Sequence, residues 1–178
     1  GTLITSAARL MLAITERLVE DSDLTWAFCD TDSMAIAKPA GMTDAEFFRK
    51  AQAVRNWFKP LNPYEADIDL FKVEEANYRV VDGRLTNELE PLYCFAISSK
   101  RYALFNVDAK GEPVIRKATA HGLGHLVPPY GDKDARGDLP QPVIGLDQIG
   151  VNRWQHEFWH CIVRAAVAGN PEIGRAHV

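Results

Sequence analysis

The stretch Phe28-Cys29-Asp30-Thr31-Asp32-Ser33 lies between two apolar runs, Leu24-Thr25-Trp26-Ala27 and Met34-Ala35-Ile36-Ala37. Short apolar runs on either side of a polar, turn-forming core read as two strands joined by a tight reversal. Side chains alternate along an extended chain, so Asp30 and Asp32 are expected on one face of this hairpin, with Thr31 pointing away. Two hard oxygen ligands then stand together. Mg²⁺ is normally held by one or two carboxylates plus waters and substrate phosphates, and a pair of such ions can stabilise both oxygens of an in-line phosphoryl displacement. The competing reading is a polar β-turn, because Asp, Thr and Ser favour turns in any protein.

The context favours the metal site. Apolar strand, Asp-Thr-Asp-Ser, apolar strand closely resembles the carboxylate hairpin in the palm of family B DNA polymerases, Tyr-Gly-Asp-Thr-Asp-Ser, with Phe28 and Cys29 in place of Tyr-Gly. Downstream, Ser99-Lys100-Arg101-Tyr102, between the apolar segments Leu92-Tyr93-Cys94-Phe95-Ala96-Ile97 and Ala103-Leu104-Phe105, resembles the family's Lys-Lys-Arg-Tyr motif with Ser for the first Lys. Two motifs in family order are far rarer by chance than one.

The resemblance implies an α+β fold, a partial polymerase palm whose antiparallel sheet carries the carboxylate hairpin and has helices on one face, followed by the start of a helical thumb. Residues 1–130 would be the C-terminal part of the palm, and residues 131–171 a linker and the beginning of the thumb. It further implies that Asp30 and Asp32 are catalytic metal ligands, Asp32 the stronger, in a two-Mg²⁺ site. Thr31 and Ser33 would lie near the incoming dNTP, and Lys100, Arg101 and Tyr102 would hold primer-template DNA. Alternation along a strand would turn Lys100 and Tyr102 to the duplex and leave Arg101 as a structural ion-pair partner. The family's further metal-binding Asp belongs to an Asp-x-x-Ser-Leu-Tyr-Pro stretch, which these 178 residues lack. The chain is therefore expected to be a fragment, inactive by itself.

The rest of the sequence is compatible with that frame. It is 47% hydrophobic and 25% charged, ordinary globular material. No apolar run is long enough to span a bilayer and no basic segment precedes a signal core, so a cytoplasmic protein without a membrane partner is expected. Three widely spaced cysteines, Cys29, Cys94 and Cys161, argue against a disulfide framework or a thiolate zinc site. The net charge of −4 gives no general attraction to nucleic acid, so any DNA contact must be local.

The chain opens without an initiating Met on an amphipathic helix over residues 4–19, whose buried face would be Ile4, Ala7, Ala8, Met11, Leu12, Ile14, Leu18 and Val19. Residues 172–178 resemble translated adapter and read as a non-native tail. Thr43-Asp44-Ala45-Glu46 is a capping box opening a second helix, with Phe47, Phe48, Ala51, Val54, Trp57 and Phe58 as its core stripe and Pro60 and Pro63 beyond its end. Strands are expected over residues 70–74, 78–81 and 92–97, with a turn at Asp82-Gly83. A further hairpin pairs residues 101–107 with 113–118. Residues 120–145, rich in Gly and Pro and carrying His121 and His125, read as an irregular linker.

A last helix over residues 151–168 carries the rival signal, His156-Glu157-Phe158-Trp159-His160. Spacing of four puts both imidazoles on one face, where they could hold Zn²⁺ with Glu157 as base, as in zinc peptidases. A catalytic site needs a third ligand, and only Glu172 and His177 follow. The alternative is an amphipathic helix packed through Trp154, Phe158, Trp159, Ile162 and Val163. A third possibility is a non-catalytic nucleic-acid-binding module, in which the carboxylates are a plain turn and the basic strand grips a duplex.

Overall fold

A computed structural model describes residues 2–123 and 145–169. The expected tail at residues 172–178, the candidate ligands Glu172 and His177, His125 and most of the linker fall outside them. The described chain is α+β, with three α-helices and small antiparallel sheets of two, two and three strands. It divides at Glu74/Glu75 into two compact units, a division that falls inside the stretch read as one palm.

The first unit holds α1 (Thr2–Asp21), the hairpin of β1 (Thr25–Asp30) and β2 (Ser33–Ala37), and α2 (Asp44–Trp57). Helix α1 ends in a Schellman arrangement: the Leu24 amide donates to the Val19 carbonyl (3.1 Å) and the Asp23 amide to that of Glu20 (3.0 Å), with Asp23 in the left-handed region. That closure turns the chain back so that Leu24 rests with Val19 in the core. Phe47 and Val54 of α2 complete the cluster, and Met34, Ile36 and Phe48 border it. Thr43 caps α2 as read, its Oγ1 accepting from the Glu46 amide at 3.2 Å.

Three expectations for this unit fail. Ile4 is 77% exposed and Leu3 and Leu10 are also open; only the C-terminal half of α1, around Thr15 and Val19, is buried. A periodic stripe fixes which side of a helix is apolar, but not how much of its length has something to cover it. In α2, Trp57 is exposed while its neighbour Phe58 is buried, edge-on to both Trp57 and Phe71. Phe71 is held by that ring contact at 4.8 Å, and residues 70–74 form no strand. A short apolar run can be anchored by one side chain as well as by a ladder.

The second unit begins with β3 (Tyr78–Val81) and β4 (Arg84–Leu89), reversed at Asp82-Gly83. Both turn residues have positive φ (50° and 73°), the requirement of a type I′ reversal that Asp-Gly satisfies. Strands β5 (Tyr93–Ser98), β6 (Arg101–Val107) and β7 (Pro113–Ala120) then form an antiparallel sheet in sequential order. Helix α3 (Arg153–Gly169) lies on one face of it, its Trp159 and Val163 buried among Ala103, Phe105, Ile115, Ala118 and Ala120. Its start is fixed by Asn152, whose carbonyl accepts from the His156 amide while its own amide donates to Gln155 Oε1. Trp159 anchors the contact through a hydrogen bond from Nε1 to the Thr119 carbonyl at 2.9 Å.

A buried cation ties the two sheets of this unit together. Arg116 sits at the register shift of β7, is 3% exposed, and donates to the Glu90 carboxylate (2.9 Å) and the Tyr78 carbonyl. Removing Arg116 leaves the part-exposed Glu90 carboxylate and the Tyr78 carbonyl without their donor, at a cost of about 1–3 kcal/mol. Arg116→Ala should lower the unfolding free energy by that order in a urea titration. Trp159→Ala should cost about 3–5 kcal/mol, while exposed Trp57→Ala should cost below about 1 kcal/mol.

Candidate functional site

Strands β1 and β2 pair from Thr25↔Ala37 to Asp30↔Ser33, which leaves Thr31 and Asp32 as a two-residue loop. Asp30 therefore ends a strand and Asp32 occupies the reversal itself. The chain turns so sharply that the Asp32 amide donates to the Asp30 carbonyl at 2.6 Å, and Ser33 Oγ donates to the same oxygen at 3.1 Å. Thr31 takes φ 57°, at the first loop position, where a type II′ reversal normally carries Gly. Strand alternation consequently does not carry through the loop. Thr31 does not point away from Asp30: its hydroxyl donates to Asp30 Oδ1 at 3.0 Å.

Thr31 and Asp32 are exposed and Asp30 is half-buried. Cys29, one residue earlier, is the position where the resembled motif has Gly. Burial pushes its thiol pKa up, and the negative charge of Glu16 on α1 pushes it further, so Cys29 stays a thiol. Asp30 and Asp32 suit a hard cation such as Mg²⁺ by their oxygen donors, the remaining positions falling to water and phosphate. Among the described residues no group of three or more His, Cys, Asp or Glu side chains is placed to hold a metal ion. A β-branched residue in the left-handed region costs about 1–2 kcal/mol. Thr31→Gly should therefore raise the thermal midpoint, despite the lost hydroxyl contact.

The second motif is not laid out along a strand as expected. The last pair of the β5–β6 hairpin is Ser98↔Arg101, so Ser99 and Lys100 form the loop and Arg101 opens β6. Lys100 and Arg101 are exposed, whereas Tyr102 is 5% exposed. Residues 102–105 of β6 are buried on both faces of the sheet, which removes the outward face the alternation assigned to Tyr102. Arg101 is no carboxylate's ion-pair partner in the described contacts; its Nε donates to the His121 carbonyl at 2.9 Å. Sequence reading missed that clamp, because the partners lie 20 residues apart.

His156 and His160 share the buried face of α3, their rings 6.2 Å apart and inclined by 26°. Glu157, the base of the zinc reading, is engaged by Arg153 at 3.0 Å. Burial lowers the pKa of His156, the neighbouring His160 lowers it further, and Glu157 opposes both. Above about pH 6.5 an imidazole is neutral in either state, but below it the unfolded chain takes up a proton that folded His156 resists. Stability should thus fall as pH drops from about 6.5 towards the lowered pKa, and His156→Gln should flatten that slope in denaturant titrations.

Comparison with protein-family models, with curated proteins and with solved structures gives no match for this chain.

Proposed function

We propose that this chain is part of the nucleotidyl-transfer core of a family B-like DNA polymerase. In this reading residues 1–130 belong to the C-terminal part of the palm and the described α3 to the beginning of a thumb. The observation that carries it is the hairpin: the Asp-Thr-Asp-Ser segment lies at a tight reversal between two paired apolar strands, with Asp32 exposed at the tip and Asp30 at the strand end. Lys100 in the Ser99-Lys100 loop and Arg101 at the start of β6, both exposed in the second unit, support it as the motif that would contact DNA.

The chemistry would be transfer of a nucleotide from dNTP to a primer 3′-hydroxyl. Mg²⁺ ions would supply charge neutralisation at the attacking and leaving oxygens. Asp32 and Asp30 would hold them, with Asp32 the principal ligand and a further Asp supplied by a motif these residues do not contain. The Thr31 hydroxyl keeps the Asp30 carboxylate oriented. Ser33 closes the base of the turn, and its place beside both carboxylates would put it near the nucleotide.

Two carboxylates without the remaining ligand bind a divalent ion weakly, so the decisive measurement is local rather than kinetic. Substoichiometric Mn²⁺ should broaden the backbone amide resonances of Asp30 to Ser33 selectively, and Asp32→Asn should abolish the effect. Uniform broadening, unchanged in the variant, would leave the segment as a plain turn. In a polymerase that contains this sequence, Asp32→Asn should eliminate primer extension while primer-template binding persists. Elemental analysis addresses the zinc-peptidase alternative: about one tightly held zinc per chain, lost on His160→Ala, would displace the polymerase reading.

A further inference from the structure

We infer that His121 is a third member, with Lys100 and Arg101, of a corner that binds the phosphate backbone of a nucleic-acid duplex. This deepens the polymerase reading and rests on it.

The corner is built by the end of the three-stranded sheet. Arg101 pairs with Ala120 across β6 and β7, so the chain leaving β7 passes directly beside the Ser99-Lys100 loop. Two hydrogen bonds join them: the His121 amide donates to the Lys100 carbonyl at 3.2 Å, and Arg101 Nε donates to the His121 carbonyl at 2.9 Å. The chain then reverses at Gly122, whose φ of 72° calls for glycine, and the Leu123 amide closes the turn on the Ala120 carbonyl at 3.0 Å. A Cβ at Gly122 would stand 3.5 Å from Arg101 Nη2, so the guanidinium lies against this turn. Leu123 packs on the core formed by β6, β7 and α3 and holds the far end in place.

His121 is thus fixed by its main chain, while its imidazole is exposed beside the exposed Lys100 and Arg101. The segments that make the corner, Ser98-Ser99-Lys100-Arg101 and Ala120-His121-Gly122-Leu123, contain no acidic residue, although the chain carries a net charge of −4. A local basic cluster on an acidic protein matches a polyphosphate backbone in charge. Lysine supplies a point charge, arginine the guanidinium nitrogens not engaged by His121, and histidine a ring N–H donor. The Arg101 hydrogen bond makes Arg101 a positioning residue for His121 as well as a contact.

The experiment is a salt titration of duplex DNA binding by the chain, read by fluorescence anisotropy of a labelled duplex. Lys100→Ala and His121→Ala should each weaken binding, His121→Ala roughly threefold, and Lys100→Ala should in addition reduce the slope of log K against log salt by up to about one. His121→Lys, which keeps a donor and adds a permanent charge, should bind at least as tightly as the unaltered chain. Because the His121 side chain is exposed, neither substitution should move the thermal midpoint, which separates loss of contact from loss of fold. Weakening by Lys100→Ala with no effect of His121→Ala on affinity or slope would overturn the inference and leave the polymerase reading intact. Absence of salt-dependent binding by the unaltered chain would overturn the corner altogether. The Mn²⁺ measurement at Asp30 and Asp32 decides the polymerase reading separately.

Discussion

A two-residue reversal between paired strands is the constraint on which both candidate sites depend. The ladder on either side buries or pairs what it can, and the two loop residues are left outside it. In this chain those positions are Thr31-Asp32 and Ser99-Lys100, so a carboxylate and an ammonium are presented by the backbone rather than by the packing of long side chains. A third two-residue reversal, Asp82-Gly83, is of type I′ and has residues that suit it fully. The contrast is informative. Asp-Gly is what a turn selects when only the turn matters, whereas Thr31 occupies a left-handed conformation that a β-branched residue tolerates poorly. Strain of that kind gathers where a side chain is wanted for a contact, and Thr31 makes one with Asp30.

In the second unit, polar groups sit in a core at positions set by helix period and sheet pairing. His156, His160 and Trp159 share one face of α3, and the spacing that suggests a zinc pair is also the spacing of a helix stripe. Arg116 is similar: it is a cation in the interior whose two terminal nitrogens donate to Glu90 and the Tyr78 carbonyl, linking the β3–β4 hairpin to the larger sheet. Neither feature gathers three ligands among the described residues. What distinguishes the carboxylate hairpin is exposure together with local strain.

Local signals were legible in the sequence, and signals that depend on distant neighbours were not. The Thr43 cap, the Asp82-Gly83 reversal, and the β6–β7 hairpin follow from residues within a few positions of each other, and the structure has them at or near the expected bounds. Strand β4 escaped because Arg84-Leu85-Thr86-Asn87-Glu88-Leu89 is mostly polar; it is held by pairing to β3, with Arg79 and Glu88 joined across the strands. Exposure along α1 and the burial of Tyr102 depend on what lies above each face. A period of 3.6 or 2 reports only that faces differ. The alternation argument failed twice for one reason: Asp32 and Lys100 both lie in loops, where the two-residue period has already ended.

The same geometry explains why an acidic chain can still offer a cationic corner. Net charge acts over a Debye length of about 8–10 Å in ordinary salt, so beyond that distance an overall excess of carboxylates has little say. Within it the arrangement of the main chain decides. Here three segments meet at one end of a sheet: the Ser99-Lys100 loop, the start of β6 and the turn after β7, locked by the Arg101–His121 and His121–Lys100 hydrogen bonds. Because Lys100 and His121 enter the lock only through their main chains, their side chains can change without dissolving it. Arg101 cannot, since its guanidinium is both part of the lock and part of the surface. In the proposed reading such a corner would separate holding a duplex from holding a metal, because the basic groups stand on one antiparallel hairpin and the carboxylates on another.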